Sequence, residues 1–359
     1  MFIEKLFLKN FRNYENEVFN FSSGINVLVG DNAQGKTNCA EAVFYLCTGY
    51  SPRAVRDKQV IKYGEKSAEI KGVCQSRIGG VEVKVTFTPS KKSVFVNGAP
   101  LNKIGELMGN INSVFFNPGE LKLIQQSPED RRRFLDVSLS QMDKRYFYSL
   151  QKYKKILQQR NDLLKNPDRE VVYETLPLWD SELSVSAIEI INKRREFIKN
   201  LTPFAKEFHR YVTGGEEIEL ALETSYFDGE TVEELKNAYA QKVEKDLILG
   251  YTTVGPHRDD IKINVNGEDV RVYGSQGQQR TTAITLKFAE LEVFKQRFNE
   301  YPILILDDAL SELDKNRRKK IIDKLQGFQT IITLTELTSE LEVLENLNVI
   351  NINNGSIKN

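Results

Sequence analysis

The sequence predicts an α/β protein whose core is interrupted by a mainly helical insertion. Three observations predict it. A glycine-rich turn at residues 30–37 joins a short apolar run to a stretch with apolar residues at helical spacing. From residue 278 onward, helical and apolar strand-like segments alternate cleanly. Between these regions, residues 120–212 carry long polar-apolar helical texture. The expected division is a core in two parts, 1–118 and 251–359, around an insertion over 119–250.

The elements follow in order. Residues 1–10 and 24–30 read as strands, the second short and buried, and "KTNCAEAVFYLCTGY" reads as a helix with Ala40, Val43, Phe44 and Cys47 on one face. Residues 68–98 alternate in strand fashion, and "VFVNGAP" holds an Asn-Gly hairpin turn. "SPEDRRRFLDVSLSQ" opens a helix with Ser127 as N-cap and Pro128 in the first turn. Two further long helices precede "TGGEE". Beyond it come a strand "IELALETSYF", an acidic helix near 231–245 and strands near 260–273. The end reads as helix 278–297, strand "ILILDD", helix 315–325, strand "TIITLT" and a last strand near 347–352.

Composition bounds the class. Lys+Arg and Asp+Glu both total 50 in 359 residues, so net charge argues neither for nor against a nucleic-acid partner. Cys39, Cys47 and Cys74 lack metal-ligand spacing and read as buried thiols of a reducing compartment. The N-terminus is charged too often for a signal peptide, and no apolar run approaches a membrane span, so a cytosolic protein without a membrane partner is expected.

"GDNAQGKT" matches G-x-x-x-x-G-K-[ST] between a strand and a helix, the setting of a phosphate loop. Gly30 and Gly35 let the chain curl so that the N–H groups of Asp31, Asn32, Ala33 and Gln34 face phosphate oxygens at a helix N-terminus. Lys36 brings a cation to the β- and γ-phosphates of ATP, and Thr37 offers its hydroxyl to Mg²⁺. "PILILDD" ends a buried strand in two acids, where such sheets place ligand chemistry. Asp307 is expected to hold Mg²⁺ and Asp308 to polarise the attacking water.

"YGSQGQQRT" is a polar loop running into a helix. A helix N-terminus with a serine hydroxyl is a second phosphate receptor. One subunit already has a receptor, so Ser275, Gln276, Gly277 and Gln278 are expected to meet the nucleotide of a partner subunit. Alone, "SQGQQ" would be a polar N-cap. With a phosphate loop, an acid strand and then "SELD" (Ser311 to Asp314), the set resembles the ABC-type ATPases, and the early position of the phosphate loop behind "NFRNY" resembles their SMC-like head members. "RDKQVI", "SPEDRRRFLD", "GPHRDD" and "YGSQGQQRT" together resemble the RecF family of bacterial recombination mediators along nearly the whole chain.

The resemblance implies an ABC-type, SMC-head-like core, nucleotide contacts from Arg12 and Asn13, and an ATP-dependent homodimer with Ser311 and Asp314 acting across its interface. It implies DNA binding, work with RecO and RecR to load RecA, and roles in repair, replication restart and the SOS response. Departures are visible. The insertion is too short for the long coiled coil of SMC proteins. "TIITLTE" offers Thr333 and Thr335 where many relatives place a histidine, and Asp308 stands where Glu is usual. Slow hydrolysis that times a dimer's life is therefore expected. "FFNPGEL" (Phe115 to Leu121) reads as the loop that senses the γ-phosphate. For His257 a catalytic base and a structural loop with an internal Arg258–Asp259 ion pair both stay open.

Residues 121–210 hold 18 Lys/Arg against 13 Asp/Glu, and residues 211–250 hold 3 against 10. Arg131, Arg132, Arg133, Lys152, Lys154, Lys155 and the Lys193–Arg195 run are the densest basic clusters, the expected contacts to a DNA backbone. Two alternatives stand beside this reading: a small-molecule kinase, which would have no use for "SQGQQ" and "SELD", and a subunit of another ABC-type assembly.

Overall fold

The computed structural model describes residues 1–54, 56–224, 231–311, 313–344 and 347–358. The first part of the chain forms β1 (Phe2–Phe11), β2 (Tyr14–Asn20), β3 (Ile25–Val29), α1 (Lys36–Thr48), β4 (Ala68–Ser76), β5 (Gly79–Phe87), β6 (Lys92–Val96), β7 (Ala99–Pro100) and β8 (Ser113–Phe116). A helical region follows, with α2 (Lys122–Gln125), α3 (Pro128–Met142), α4 (Lys144–Leu164), α5 (Arg169–Thr213), β9 (Ile218–Glu223) and α6 (Val232–Leu249). The last part holds β10 (Asp260–Val265), β11 (Glu268–Asp269), α7 (Val270–Tyr273), α8 (Gln276–Phe298), β12 (Ile303–Asp307), α9 (Lys315–Asp323), β13 (Thr330–Leu334), α10 (Ser339–Glu342), β14 (Asn348–Asn353) and β15 (Ser356–Lys358).

Two six-stranded sheets form the core. One is antiparallel in the order β2-β1-β4-β5-β6-β7; the other runs β15-β14-β3-β13-β12-β8 and is parallel except for β15. In "ILILD" Ile303 and Ile305 face α1 and the antiparallel sheet, while Leu304 and Leu306 face α3, α5 and α8. Strands buried on both faces need such unbroken apolar runs. The Asn97-Gly98 turn has φ of 49° and 78°, as a two-residue hairpin turn requires.

The helical region is wider than its expected bounds. β9 pairs with β10 in the third sheet, so the unit that begins near residue 122 draws on residues 260–269, past the expected boundary at 250. Buried arginines fasten the two together. Arg160 on α4 bonds Asp180 (2.6 Å) and Asp246 (2.7 Å), and Arg194 on α5 bonds Asp136 (2.8 Å), Asp259 (2.9 Å) and the Pro256 carbonyl. α5 runs 45 residues from an Asp168 N-cap to a left-handed Gly214, about 68 Å at 1.5 Å per residue. It packs against α4 and α8 and has no long coiled-coil extension. β2 was not expected, and the expected strand from Ile218 stops at Glu223; its residues Ser225, Tyr226 and Phe227 lie outside the described residues.

Candidate nucleotide-binding site

β3 delivers the chain into the phosphate loop, and α1 begins at Lys36. Gly35 has φ of 124°, and a Cβ there would lie 2.8 Å from both Asn13 Nδ2 and the Tyr14 hydroxyl. Only glycine fits this approach. Tyr14 donates to the Gly35 carbonyl (2.9 Å) and Asn13 to the Gln34 carbonyl (2.9 Å), so the β1–β2 corner braces the loop. The far end of the chain braces the other side. Asn354 N–H donates to Gln34 Oε1 (2.6 Å), Gly355 N–H donates to the Gln34 carbonyl (2.9 Å), and the Ile352 carbonyl blocks any side chain at Gly30. Lys36 folds its ammonium back onto the carbonyls of Gly30 and Asp31, the latter at 2.7 Å. Burial holds its pKa below the usual lysine value, against the pull of Asp308, Asp307 and Asp31.

One carboxylate organises the corner between the phosphate loop and the acid strand. Asp307 Oδ1 accepts from the hydroxyls of Thr37 (2.8 Å) and Thr333 (2.7 Å), and Thr333 Oγ1 accepts in turn from Asp308 N–H (3.0 Å). Asp307 is 4 % exposed, and its burial raises its pKa against the lowering hydrogen bonds from Thr333 and Thr37. Asp308 is exposed and left-handed, with φ of 53°. A hydroxyl and a carboxylate are hard oxygen donors of the kind Mg²⁺ takes beside phosphate and water, so Thr37 and Asp307 fit that ion. No group of three or more His, Cys, Asp or Glu poised for a metal exists among the described residues.

The cavity here measures about 250 Å³ and is lined by residues 32–38, Arg53, Asp308, Thr333 and Thr335. An open cleft next to it is lined by Arg12, Asn13, Asn38 and Arg53. Arg12 forms a two-point contact with Glu41 (2.6 and 2.9 Å) and reaches the Gln59 carbonyl (2.8 Å). Arg53 also bonds Glu41, and its guanidinium reaches Asn38 (2.7 Å). Glu41 is fully buried; burial would raise its pKa, but Arg12, Arg53 and Ser51 outweigh it and hold the carboxyl low. Sequence reasoning missed Glu41, Arg53 and Tyr14. The signal for Glu41 was present: one acid between Ala40 and Ala42 in a buried helix demands a cation.

The other expected motifs lie elsewhere. Ser275 is the exposed N-cap of α8, forming a reciprocal capping box with Gln278. None of Ser275, Gln276, Gly277 or Gln278 lines the phosphate cavity of their own chain. Ser311 donates to the Asp308 carbonyl (3.1 Å), and Asp314 caps α9 through Arg317 N–H (3.0 Å); Glu312 between them lies outside the described residues. The Phe115–Leu121 loop seats Glu120 3.4 Å from Lys287 and lines a neighbouring cavity of about 480 Å³. His257 is engaged at both nitrogens, by the Tyr153 hydroxyl (2.6 Å) and the Thr252 carbonyl (2.9 Å), and burial pushes its pKa to about 4. Asp259 pairs with Arg194 rather than Arg258, so the internal ion pair expected there does not form.

The basic clusters divide. Arg131 is 1 % exposed and grips Asp260, with Nη2 at 3.0 Å, so its expected role at DNA is corrected to a structural one. Arg194, within the Lys193–Arg195 run, is equally buried. Arg132 is half-buried against the Asp259 carbonyl (2.8 Å). Arg133, Lys152, Lys154 and Lys155 are exposed. No helix is long and apolar enough to cross a membrane among the described residues.

Comparison with known proteins places this geometry. The sequence model of the family "RecF/RecN/SMC N terminal domain" matches residues 2–358. The chain is 42% identical to the DNA replication and repair protein RecF of Ruminiclostridium cellulolyticum, over 93% of each chain. It is 41% identical to RecF of Clostridium novyi, over 99% of each. Among solved structures, the recombination mediator protein RecF with ATP, in the RecFOR pathway, superposes with a TM-score of 0.90 at 34% identity, covering 99% of this chain and 97% of that one. The Smc head domain of Pyrococcus furiosus shares the fold, with a TM-score of 0.59 at 20% identity over 99% of this chain and 95% of that one. Such whole-chain matches leave no room for the small-molecule-kinase reading. The family model spans nearly the whole chain and the RecF relatives match it at about 40% identity over almost their full length, so the chain belongs to the RecF family of the SMC-like ABC ATPases.

Proposed function

We propose that this chain is an ATP-driven DNA-binding switch that closes as a homodimer. The observation that carries the reading is the division of the site. Lys36, Thr37, Asp308 and Thr333 line one cavity, with Asp307 bonded to Thr37 and Thr333, while Ser275 is the exposed N-cap of a helix outside it. Lys36 exchanges the carbonyls of Gly30 and Asp31 for phosphate oxygens when ATP enters. Thr37 and Asp307 would hold Mg²⁺, which neutralises phosphate charge when bound. Asp308 orients the attacking water from the rim, with Thr333 fixing its backbone. Ser275 of one subunit, with Ser311 and Asp314, completes the γ-phosphate shell of the other. Arg12 and Asn13 brace the nucleotide cleft through Glu41 and the loop.

DNA contact falls to Arg133, Lys152, Lys154 and Lys155, with Arg132 at the edge, as backbone contacts that salt screens. Hydrolysis is slow, stimulated by DNA, and resets the dimer. In the cytosol such a clamp, on duplex beside single-strand gaps, would help RecO and RecR load RecA during recombinational repair, replication restart and SOS induction. Solved relatives named for ATP and the RecFOR pathway support this assignment. Sedimentation with and without ATP and duplex DNA tests it. The wild type should shift to a dimer only with ATP, and Asp308→Asn should hold that dimer longer. A wild type that stays monomeric in saturating ATP and DNA refutes the switch.

A further inference from the structure

The signature helix is not held by its own residues alone. Within the capping box, Gln278 N–H donates to Ser275 Oγ (3.2 Å) and Ser275 N–H donates to Gln278 Oε1 (3.0 Å). The other end of that same amide, Gln278 Nε2, donates to Glu216 Oε1 at 3.0 Å. Glu216 lies 62 residues earlier, on the turn by which the chain leaves α5. That turn is well defined. Gly214 and Gly215 take φ of 84° and 141°, Glu216 N–H donates to Thr213 Oγ1 (3.0 Å), and the Thr213 hydroxyl donates to the His209 carbonyl (2.7 Å).

A second contact runs parallel to the first. His209, fully buried on α5, lies with Nδ1 2.9 Å from Thr285 Oγ1 on α8. Its Nε2 and Glu216 Oε2 are both buried without hydrogen bonds and lie 3.5 Å apart, facing each other. The end of α5 therefore grips α8 at Gln278 and again at Thr285, two turns on.

We propose that Glu216 is a positioning residue for the signature motif, fixing the Gln278 amide so that Ser275 is set for the partner subunit's nucleotide. This rests on the reading that the signature acts across the dimer. A carboxylate can only accept, so it obliges Gln278 to turn its nitrogen towards Glu216 and its oxygen towards Ser275 N–H. With Ser275 Oγ then accepting from Gln278 N–H, the serine hydroxyl hydrogen is left free to donate outward to a phosphate. Gln278 without Glu216 can flip or swing, and the cap loosens at the one serine the interface needs. Glu216 also stands at the end of a 45-residue helix whose body packs on α4, the carrier of Lys152, Lys154 and Lys155. Displacement of those helices by DNA thus has a direct route to the signature serine's cap in this carboxylate, beside the packing of α5 on α8.

The test compares wild type, Glu216→Ala and Glu216→Gln for fluorescent ATP-analogue binding by the monomer, for dimerisation in saturating ATP by sedimentation, and for DNA stimulation of turnover. Alanine should bind the analogue within about twofold of wild type, dimerise about tenfold more weakly and lose the DNA stimulation, a tenfold loss matching one hydrogen bond. Glutamine keeps an acceptor oxygen for Gln278 and should recover both. Wild-type dimerisation by the alanine variant overturns the proposal. So does loss of monomer affinity, which would mark a general role in folding, or failure of glutamine to rescue, which would mark a role for charge alone. A wild type that never dimerises overturns the trans reading and this assignment with it.

Discussion

Thr333→Val removes one hydroxyl and no carbon volume, which makes its consequence calculable. Thr333 Oγ1 donates to Asp307 at 2.7 Å and accepts from Asp308 N–H at 3.0 Å, in a strand where the residue is 1 % exposed. The bond to a carboxylate is worth about 1.5–3 kcal/mol, and the Asp308 N–H left without an acceptor costs about 1–3 kcal/mol more. Asp308 sits at φ of 53°, a conformation that costs about 1–2 kcal/mol and persists only while something holds it. Taking about 3 kcal/mol from the aligned arrangement lowers its population roughly 100-fold, since 1.4 kcal/mol is a factor of ten. Turnover should fall by about that factor. ATP affinity should change less than turnover, because Thr333, although it lines the cavity, bonds the acids rather than the phosphate loop. A second signature is in the pH profile. Burial raises the Asp307 pKa and the Thr333 hydrogen bond is the larger of the two that lower it, so without it the acid limb of the rate profile moves to higher pH. Thr333→Ser keeps the hydroxyl and should restore both. Valine turnover within about twofold of wild type, with an unmoved acid limb, refutes the reasoning.

Four other variants follow from the same geometry. Asp307→Asn keeps an oxygen for Thr37 and Thr333 but removes a buried charge; because the folded pKa is raised, wild type loses stability as pH climbs through that raised value, so in metal-free buffer asparagine should melt higher at about pH 8 and not at about pH 4. Equal melting at both pH values would sink this, and turnover should be lost with the metal ligand. Ser275→Arg should leave monomer nucleotide affinity intact, since Ser275 lies outside its own cavity, and abolish ATP-dependent dimers in sedimentation; reduced monomer affinity would show the signature acting in cis. Arg131→Met should destabilise the fold by about 3 kcal/mol, the low end for breaking a buried pair because Arg271 still holds Asp260 at 3.0 Å, without weakening DNA binding of the folded protein. Lys155→Glu should do the reverse, and equal DNA loss in both variants counts against the division of the basic cluster.

What could be read from the sequence was what depends on neighbours in sequence. "GINVLVGDNAQGKT" carries its strand, its glycines and its lysine within one short stretch, and "ILILDD" declares a strand buried on both faces by its unbroken apolar run. What could not be read depends on partners far away. Arg131 and Arg133 look alike in "RRR", but one meets Asp260, 129 residues on, and the other stays exposed. Thr333 registered only as the lack of a histidine, because its two acids come from a neighbouring strand. β2 was overlooked because its hairpin turns on Arg12 and Asn13, with Arg12 at φ of 56°, without the glycine that usually marks such a reversal. The pairing of β9 with β10 across residue 250 is equally non-local.

The phosphate loop depends on strands made long after it. β3 enters the loop, yet its sheet neighbours are β13 and β14, and Ile352, Asn354 and Gly355 shape the turn itself. During synthesis, which proceeds from the N-terminus, Gly30–Thr37 leaves the ribosome some 300 residues before these braces do. Until then β3 lacks its sheet neighbours and the loop has only the brace of the β1–β2 corner. Removing residues 348–358 should therefore abolish nucleotide binding although no phosphate-facing group is lost. Nucleotide binding is thus expected only once β13 and β14 stand beside the loop.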